Sequence, residues 1–173
     1  MLSLLMKRRS IRKFTDREVT EEQVKQILQA ALLSPSAHGR QSWEFIVVRD
    51  KNMLQHFGNC RQPKQPFLPE TPVAIAVLGN PEVIDVWVED GSIAMTHMML
   101  EATALGLGSC WVQIRNRPSN QNDMPAADYI KQLLHVPEPY QVLAILALGY
   151  PGQEKEPLSL EQLPYHKIHR ERF

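Results

Sequence analysis

The chain reads as a single α+β domain over residues 1–173, a mixed β-sheet flanked by helices and followed by an extended C-terminal arm. Three observations carry that expectation. Residues 73–78 and 142–148 are apolar without alternation, which suits strands buried on both faces. Residues 90–105 place Ile93, Ala94, Met95, Met98, Met99, Leu100, Ala102 and Leu105 around nearly the whole circumference of a helix. From Pro151 onward the chain mixes charge and proline with little periodicity, so it reads as an arm and not a core element.

The elements follow in order. Residues 1–8 form a short helix with Leu2, Leu5 and Met6 on one side. Thr20 and Gln23 have capping-box spacing, and Val24, Ile27, Leu28, Ala31 and Leu32 give the helical stripe that ends before Pro35. Residues 45–48 are a β-branched strand, and Asp50 caps a brief helix through Phe57. The stretch 59–72 is a proline-rich loop leading to the strand at 73–78. After the helix at 90–105 come Gly106, Leu107 and Gly108, a strand over 109–114, a polar loop, a helix near 126–135 and the strand at 142–148. A helix apolar all round must be buried all round, and a second copy of the chain is one source of cover. The other reading is a central helix enclosed within its own domain.

A chain of 173 residues can bury roughly 70% of its unfolded surface in one core. Lys plus Arg number 19 and so do Asp plus Glu, so no global field attracts nucleic acid or anionic lipid, and any anion site must be local. Cys60 and Cys110 lack CxxC spacing, which fits a reducing cytoplasm. The apolar start is too short for a secretion signal, and no stretch approaches the ~20 apolar residues of a membrane helix. The expectation is a soluble, cytoplasmic protein.

Three segments carry candidate chemistry. Lys7, Arg8, Arg9, Ser10, Arg12 and Lys13 are the main positive spot, suited to one phosphate ester because Arg forks bind phosphate bidentately. Standing alone, a basic run is more often a solvated surface. Pro35, Ser36, Ala37, Gln41 and Trp43 lie in a loop able to meet a polar heterocycle; its plainer reading is a turn carrying a core tryptophan. Gly106 and Gly108 permit close backbone approach, but Trp111 stands where a dinucleotide fingerprint needs glycine, and the segment opens a strand instead of a helix. The histidines have no metal-ligand spacing, so no metal is expected, and His97 reads as a hydrogen-bonded core residue. Ser10, Ser36 and Ser109 lack a nucleophile elbow, and Cys110 sits in an apolar, inert setting.

Together these segments resemble the nitroreductase family, particularly its short members. Arg8 to Arg12 looks like the family's RRSxR motif; Pro35, Ser36, Ala37, Gln41, Trp43 and Phe45 are similar to PSAxNxQPWxF. The segment 104–111 resembles the piece after the central helix, and Gly149, Tyr150 and Pro151 with Lys155 resemble the closing strand and its tail. The resemblance implies a homodimer with FMN at the interface and NADH or NADPH as reductant. By position, Arg8, Arg9, Ser10 and Arg12 would hold the phosphate and ribityl chain, with Lys155 adding charge and Arg12 reaching toward the pyrimidine edge. Pro35, Ser36, Ala37 and Gln41 would lie against the rings from the other subunit, and Trp111, Val112 and Gln113 would offer backbone groups near N5.

On this resemblance hydride passes from NAD(P)H through flavin N5 to a small acceptor such as a nitroaromatic, quinone or flavin, in ping-pong fashion. No side chain is needed as nucleophile; Arg12 would stabilise the reduced flavin. Gly39 stands where the family often has Asn and Ser42 where it has Pro, departures that bear on acceptor more than on cofactor. Only the loops at 59–71 and 115–125 could roof the pocket, so an open acceptor site is expected. The alternatives are a non-catalytic flavin-binding or regulatory module, and a dehalogenase or flavin-degrading variant of the same fold.

Overall fold

A computed structural model describes residues 1–121 and 123–173. Its elements are α1 (Leu2–Lys7), α2 (Glu21–Leu32), β1 (Trp43–Val48), α3 (Lys51–Phe57), β2 (Val73–Gly79), α4 (Trp87–Ala104), β3 (Gly108–Gln113), α5 (Ala126–Leu134) and β4 (Gln141–Gly149). Short 3₁₀ turns occur at Ala37–Gly39, Leu160–Gln162 and Tyr165–Lys167.

The sheet order is β1-β2-β4-β3, so β2 and β4 are the inner strands, matching their unbroken apolar sequence. Every pairing between these strands is antiparallel. The parallel component of the expected mixed sheet is confined, among the described residues, to one bridge between Ser10 and Ser109, where the chain leaving α1 runs beside β3.

The two faces are separate cores. Val73, Ile75, Val77, Leu146 and Leu148 pack with Val24 and Ile27 of α2 and with Ala94, Met95 and Met98 of α4. Ala74, Ala76, Ile145 and Ala147 pack with Leu54 and Phe57 of α3 and Ile130 of α5. A bulge opposite Val77 and Leu78 leaves Leu143 out of the ladder, so Leu143 and Ala144 face the same core and the alternation of β4 restarts at Val142.

Local chemistry explains most boundaries. The Thr20 hydroxyl accepts from Gln23 N at 3.2 Å while Gln23 Oε1 accepts from Thr20 N at 3.0 Å, closing the capping box that starts α2. Asp50 accepts from Met53 N at 2.9 Å and starts α3. Helix α4 ends in a Schellman motif: Leu107 N donates to Ala102 O at 2.8 Å and Gly106 N to Thr103 O at 3.2 Å, with Gly106 at φ +74°. Its start is earlier than sequence predicts, at Trp87 instead of Asp90, because the Trp87 ring rests on Gly79 and anchors the first turn to the end of β2. Strand β1 likewise begins at Trp43, whose side chain is drawn into the α2–α4 core.

The inner side of α4 is buried by the sheet and α2, while Ile93, Thr96 and Ala104 remain exposed along its outer side. The arm is joined to the body where Leu158 N donates to Met6 O at 2.9 Å. Beyond Leu158 its hydrogen bonds are internal, and Leu160, Leu163, Tyr165, Ile168 and Phe173 are exposed. Among the described residues no helix is long and apolar enough to cross a membrane.

Both cysteines are free and buried. Burial pushes the Cys60 thiol from 9.0 up to about 12, so the fold holds a proton that the unfolded chain releases. That stabilisation is complete below pH 9 and is lost as pH rises toward 12. Urea unfolding midpoints are therefore expected to fall across this window, less steeply in Cys60→Ala, with no reaction of native Cys60 toward a thiol reagent at pH 8.

Candidate functional site

The segment after α1 is extended, so its side chains alternate. Ile11 turns inward: its side chain packs on Gly108 and its N–H donates to Ser109 O at 2.9 Å. Arg8, Ser10 and Arg12 consequently share the other side and gather around Cys110. Burial pushes the Cys110 thiol up, opposed by the fields of Arg12, Lys155 and Arg8 and by a hydrogen bond with the Ser10 side chain. Those four groups thus all lie within electrostatic reach of one residue of β3. Lys155 reaches it from the arm and donates to Ser10 O at 2.8 Å.

Arg9 is the exception among the residues expected to grip a phosphate. It points with Ile11, lines a cleft of about 390 Å³ with Lys7, Thr103 and residues 153–157, and donates to the Glu156 carbonyl. The alternation that puts Arg8 and Arg12 on one side sets Arg9 on the other, in a cleft that Lys155 also lines. Among the described residues the ion pairs are Lys25–Glu22, Arg49–Glu21 and Lys131–Glu138. Arg8, Arg12 and Lys155 therefore have no carboxylate within ion-pairing distance among the described residues, and Arg12 and Lys155 are exposed, which leaves their donors open to an anion from solvent.

β3 is an edge strand. Ser109 turns its carbonyl outward to Ile11, and the antiparallel alternation aims the main-chain groups of Trp111 and Gln113 at the same outer edge, where they have no strand partner. The side chains are committed elsewhere: Trp111 Nε1 donates to Gln113 Oε1 at 2.9 Å, and Gln113 Nε2 donates to Arg115 O at 2.8 Å. Val112 is buried in the α3–α5 core. What Trp111 and Gln113 offer a ligand is backbone, unpaired in the ladder and suited to the polar rim of a planar heterocycle, whereas the main-chain groups of Val112, expected to contribute as well, face β4 by the same alternation.

The loop at 35–41 lies elsewhere. Gln41 N donates to Ser36 Oγ at 3.0 Å, and Ala37 N donates to Asp90 Oδ1 at 2.9 Å. His38, Gly39 and Gln41 all have positive φ, so the loop is tightly wound, with Pro35 exposed at its start. It feeds β1, whereas the basic cluster flanks β3, and these are the two outer strands. Three strand spacings, about 14 Å, separate them. One chain does not bring the two halves together.

The loops expected to roof the pocket are stitched to each other. Gln62 N donates to Pro118 O and Gln62 Nε2 to Ser119 O, both at 2.8 Å, and the Asn120 side chain donates to Arg61 O. Two polar groups have roles that sequence reading missed. Asp90, given no role in the sequence reading, is 3% exposed and binds the loop; Ser109 Oγ is buried without a protein partner among the described residues, beside the Ile11 contact. His97, expected to be a hydrogen-bonded core residue, stands 2.7 Å from Ser34 Oγ.

Comparison with known proteins gives consistent findings. A family description reading "Nitroreductase family" matches residues 5–62 and 55–150. The chain is similar over its whole length to the solved structure of an FMN-dependent nitroreductase from Clostridium difficile, with 45% identity, a TM-score of 0.96 and 100% of each chain covered. It is 36% identical to an Archaeoglobus fulgidus protein named for NADH dehydrogenase and NAD(P)H nitroreductase activity, covering 99% of this chain and 98% of that one. A Bacillus subtilis FMN reductase (NADPH) is 26% identical, over 96% of this chain and 72% of that protein.

Proposed function

Because this chain belongs to the nitroreductase family, we propose that it is an FMN-dependent oxidoreductase using NADH or NADPH to reduce a small acceptor such as a nitroaromatic, a quinone or a free flavin. The observation that carries this reading is the convergence of Arg8, Ser10, Arg12 and Lys155 beside the unpaired edge of β3.

FMN, when bound, supplies the two-electron chemistry between nicotinamide and acceptor. The chain's residues hold and orient it. Arg8, Arg12, Lys155 and the Ser10 hydroxyl bind the phosphate and ribityl chain, and the main chain of Trp111 and Gln113 meets the polar rim of the rings. Arg9 holds the start of the arm through the Glu156 carbonyl. Pro35, Ser36, Ala37 and Gln41 close the site from a second copy, since their own β3 edge lies across the sheet. The exposed outer side of α4, Leu33 at 84% exposure and the exposed apolar side chains of the arm support such a homodimer. Free buried cysteines support a cytoplasmic setting.

The test is optical. Purified protein reconstituted with FMN should be yellow, and anaerobic titration with NADH or NADPH should bleach it until a quinone or nitroarene restores the colour. A yellow protein that neither nicotinamide bleaches would leave a flavin-binding module and defeat the enzymatic reading.

A further inference from the structure

The loop before β1 is held from α4 at two points, and we propose that Asp90 and His97 form a latch that presets residues 34–37 for contact with the flavin. Asp90 and His97 are two helical turns apart on one face of α4. Asp90 Oδ1 accepts from Ala37 N at 2.9 Å, and His97 Nδ1 lies 2.7 Å from Ser34 Oγ. Between these anchors sit only Pro35 and Ser36, so both ends of the segment are fixed to one rigid helix. Beyond it, positive φ at His38, Gly39 and Gln41 is unfavourable for the two side-chain-bearing residues and persists only if the surroundings impose it.

A carboxylate is a costly choice for holding one amide. Asp90 is 3% exposed, its Oδ2 is buried without a partner, and removing such a group from water must be offset locally. Its place in the first turn puts it at the positive end of the α4 dipole, which supplies part of that offset. Asp90 touches no reacting atom in this arrangement; it is a positioning residue. The flavin contact rests on the functional reading above, whereas the hold on the loop does not.

Two measurements separate them. In the apoprotein, Asp90→Ala is expected to speed hydrogen exchange at Ala37 by about tenfold or more, with β2 and β4 amides unchanged. Asp90→Asn keeps an oxygen acceptor and should restore protection. In titrations read by quenching of flavin fluorescence, Asp90→Ala should raise the FMN dissociation constant by about tenfold and alter the visible circular dichroism of the bound flavin, with Asp90→Asn within about threefold of wild type. Ser34→Ala and His97→Ala should show the same pattern more weakly, and they carry the test should Asp90→Ala not fold. Unchanged Ala37 exchange, or wild-type FMN affinity and dichroism in a variant with accelerated exchange, would overturn the latch. Asn behaving as poorly as Ala would overturn it too. Wild-type protein that takes up no FMN would instead defeat the functional reading and the flavin half of this proposal, while exchange at Ala37 still decides the loop half.

Discussion

Alanine at both Arg8 and Arg12 is expected to raise the FMN dissociation constant by about 10²–10⁴-fold, the equivalent of two charge-assisted hydrogen-bonding groups at about 1.5–3 kcal/mol each. The magnitude follows from what surrounds these side chains. They share one side of an extended segment with Ser10 and have no carboxylate partner among the described residues. Among the described residues neither makes an ion pair, so a phosphate brought there displaces none. Arg9→Ala is the internal control. It removes an equal charge one residue away, yet Arg9 is turned to the Glu156 carbonyl, and affinity should change by no more than about threefold. Equal losses from Arg9→Ala and Arg8→Ala would show that the basic run acts only through its summed field. Added salt should weaken wild type more than the double variant. For Arg12 alone a second readout applies: if its guanidinium stabilises the reduced, anionic flavin, the midpoint potential of holo Arg12→Ala should fall. An unchanged potential removes that role and leaves Arg12 as a phosphate ligand only.

How far such expectations are legible in the sequence depends on whether the determining contact is local. Helix α2 is readable end to end because Thr20 and Gln23 cap it within one turn and the apolar stripe runs beneath. β2 and β4 are readable because an inner strand must be apolar on both faces. The bulge at Leu143 leaves no trace, since every neighbour is apolar and a change of parity exposes nothing polar. The early start of α4 is decided by Trp87 lying on Gly79, and the role of Asp90 by an amide 53 residues away. In the site, the basic residues were recognisable as a set, but the division of Arg9 from Arg8 and Arg12 depends on Ile11 being pinned to β3. The gap between the two halves of the site follows from the strand order, which local patterning does not encode.

That pinning makes Gly108→Ala the most disruptive single methyl group we expect at the site. A Cβ at Gly108 would stand 2.8 Å from Ile11 Cβ and 2.9 Å from both of its γ carbons. These atoms are the branch point of a buried, β-branched side chain, not the end of a flexible one, so no rotamer change relieves the clash. The segment itself must move, against the hydrogen bond from Ile11 N to Ser109 O. Overpacking of this kind costs about 1–3 kcal/mol of stability. The larger consequence is positional. Ser10 and Arg12 are the immediate neighbours of Ile11, and displacement of binding groups by about 1 Å can cost about a hundredfold in a positioned interaction. Gly106→Ala, two residues away, separates the two effects. Gly106 sits at φ +74° with open space around its missing Cβ, so alanine there strains the helix terminus by roughly 1 kcal/mol and pushes on nothing. Denaturant unfolding should therefore show both variants destabilised, while FMN titration should show a large loss for Gly108→Ala and almost none for Gly106→Ala. Parallel losses of affinity in the two would mean that flavin binding tracks global stability, and the assignment of the Ile11–Gly108 contact as the device that aims Ser10 and Arg12 would fail.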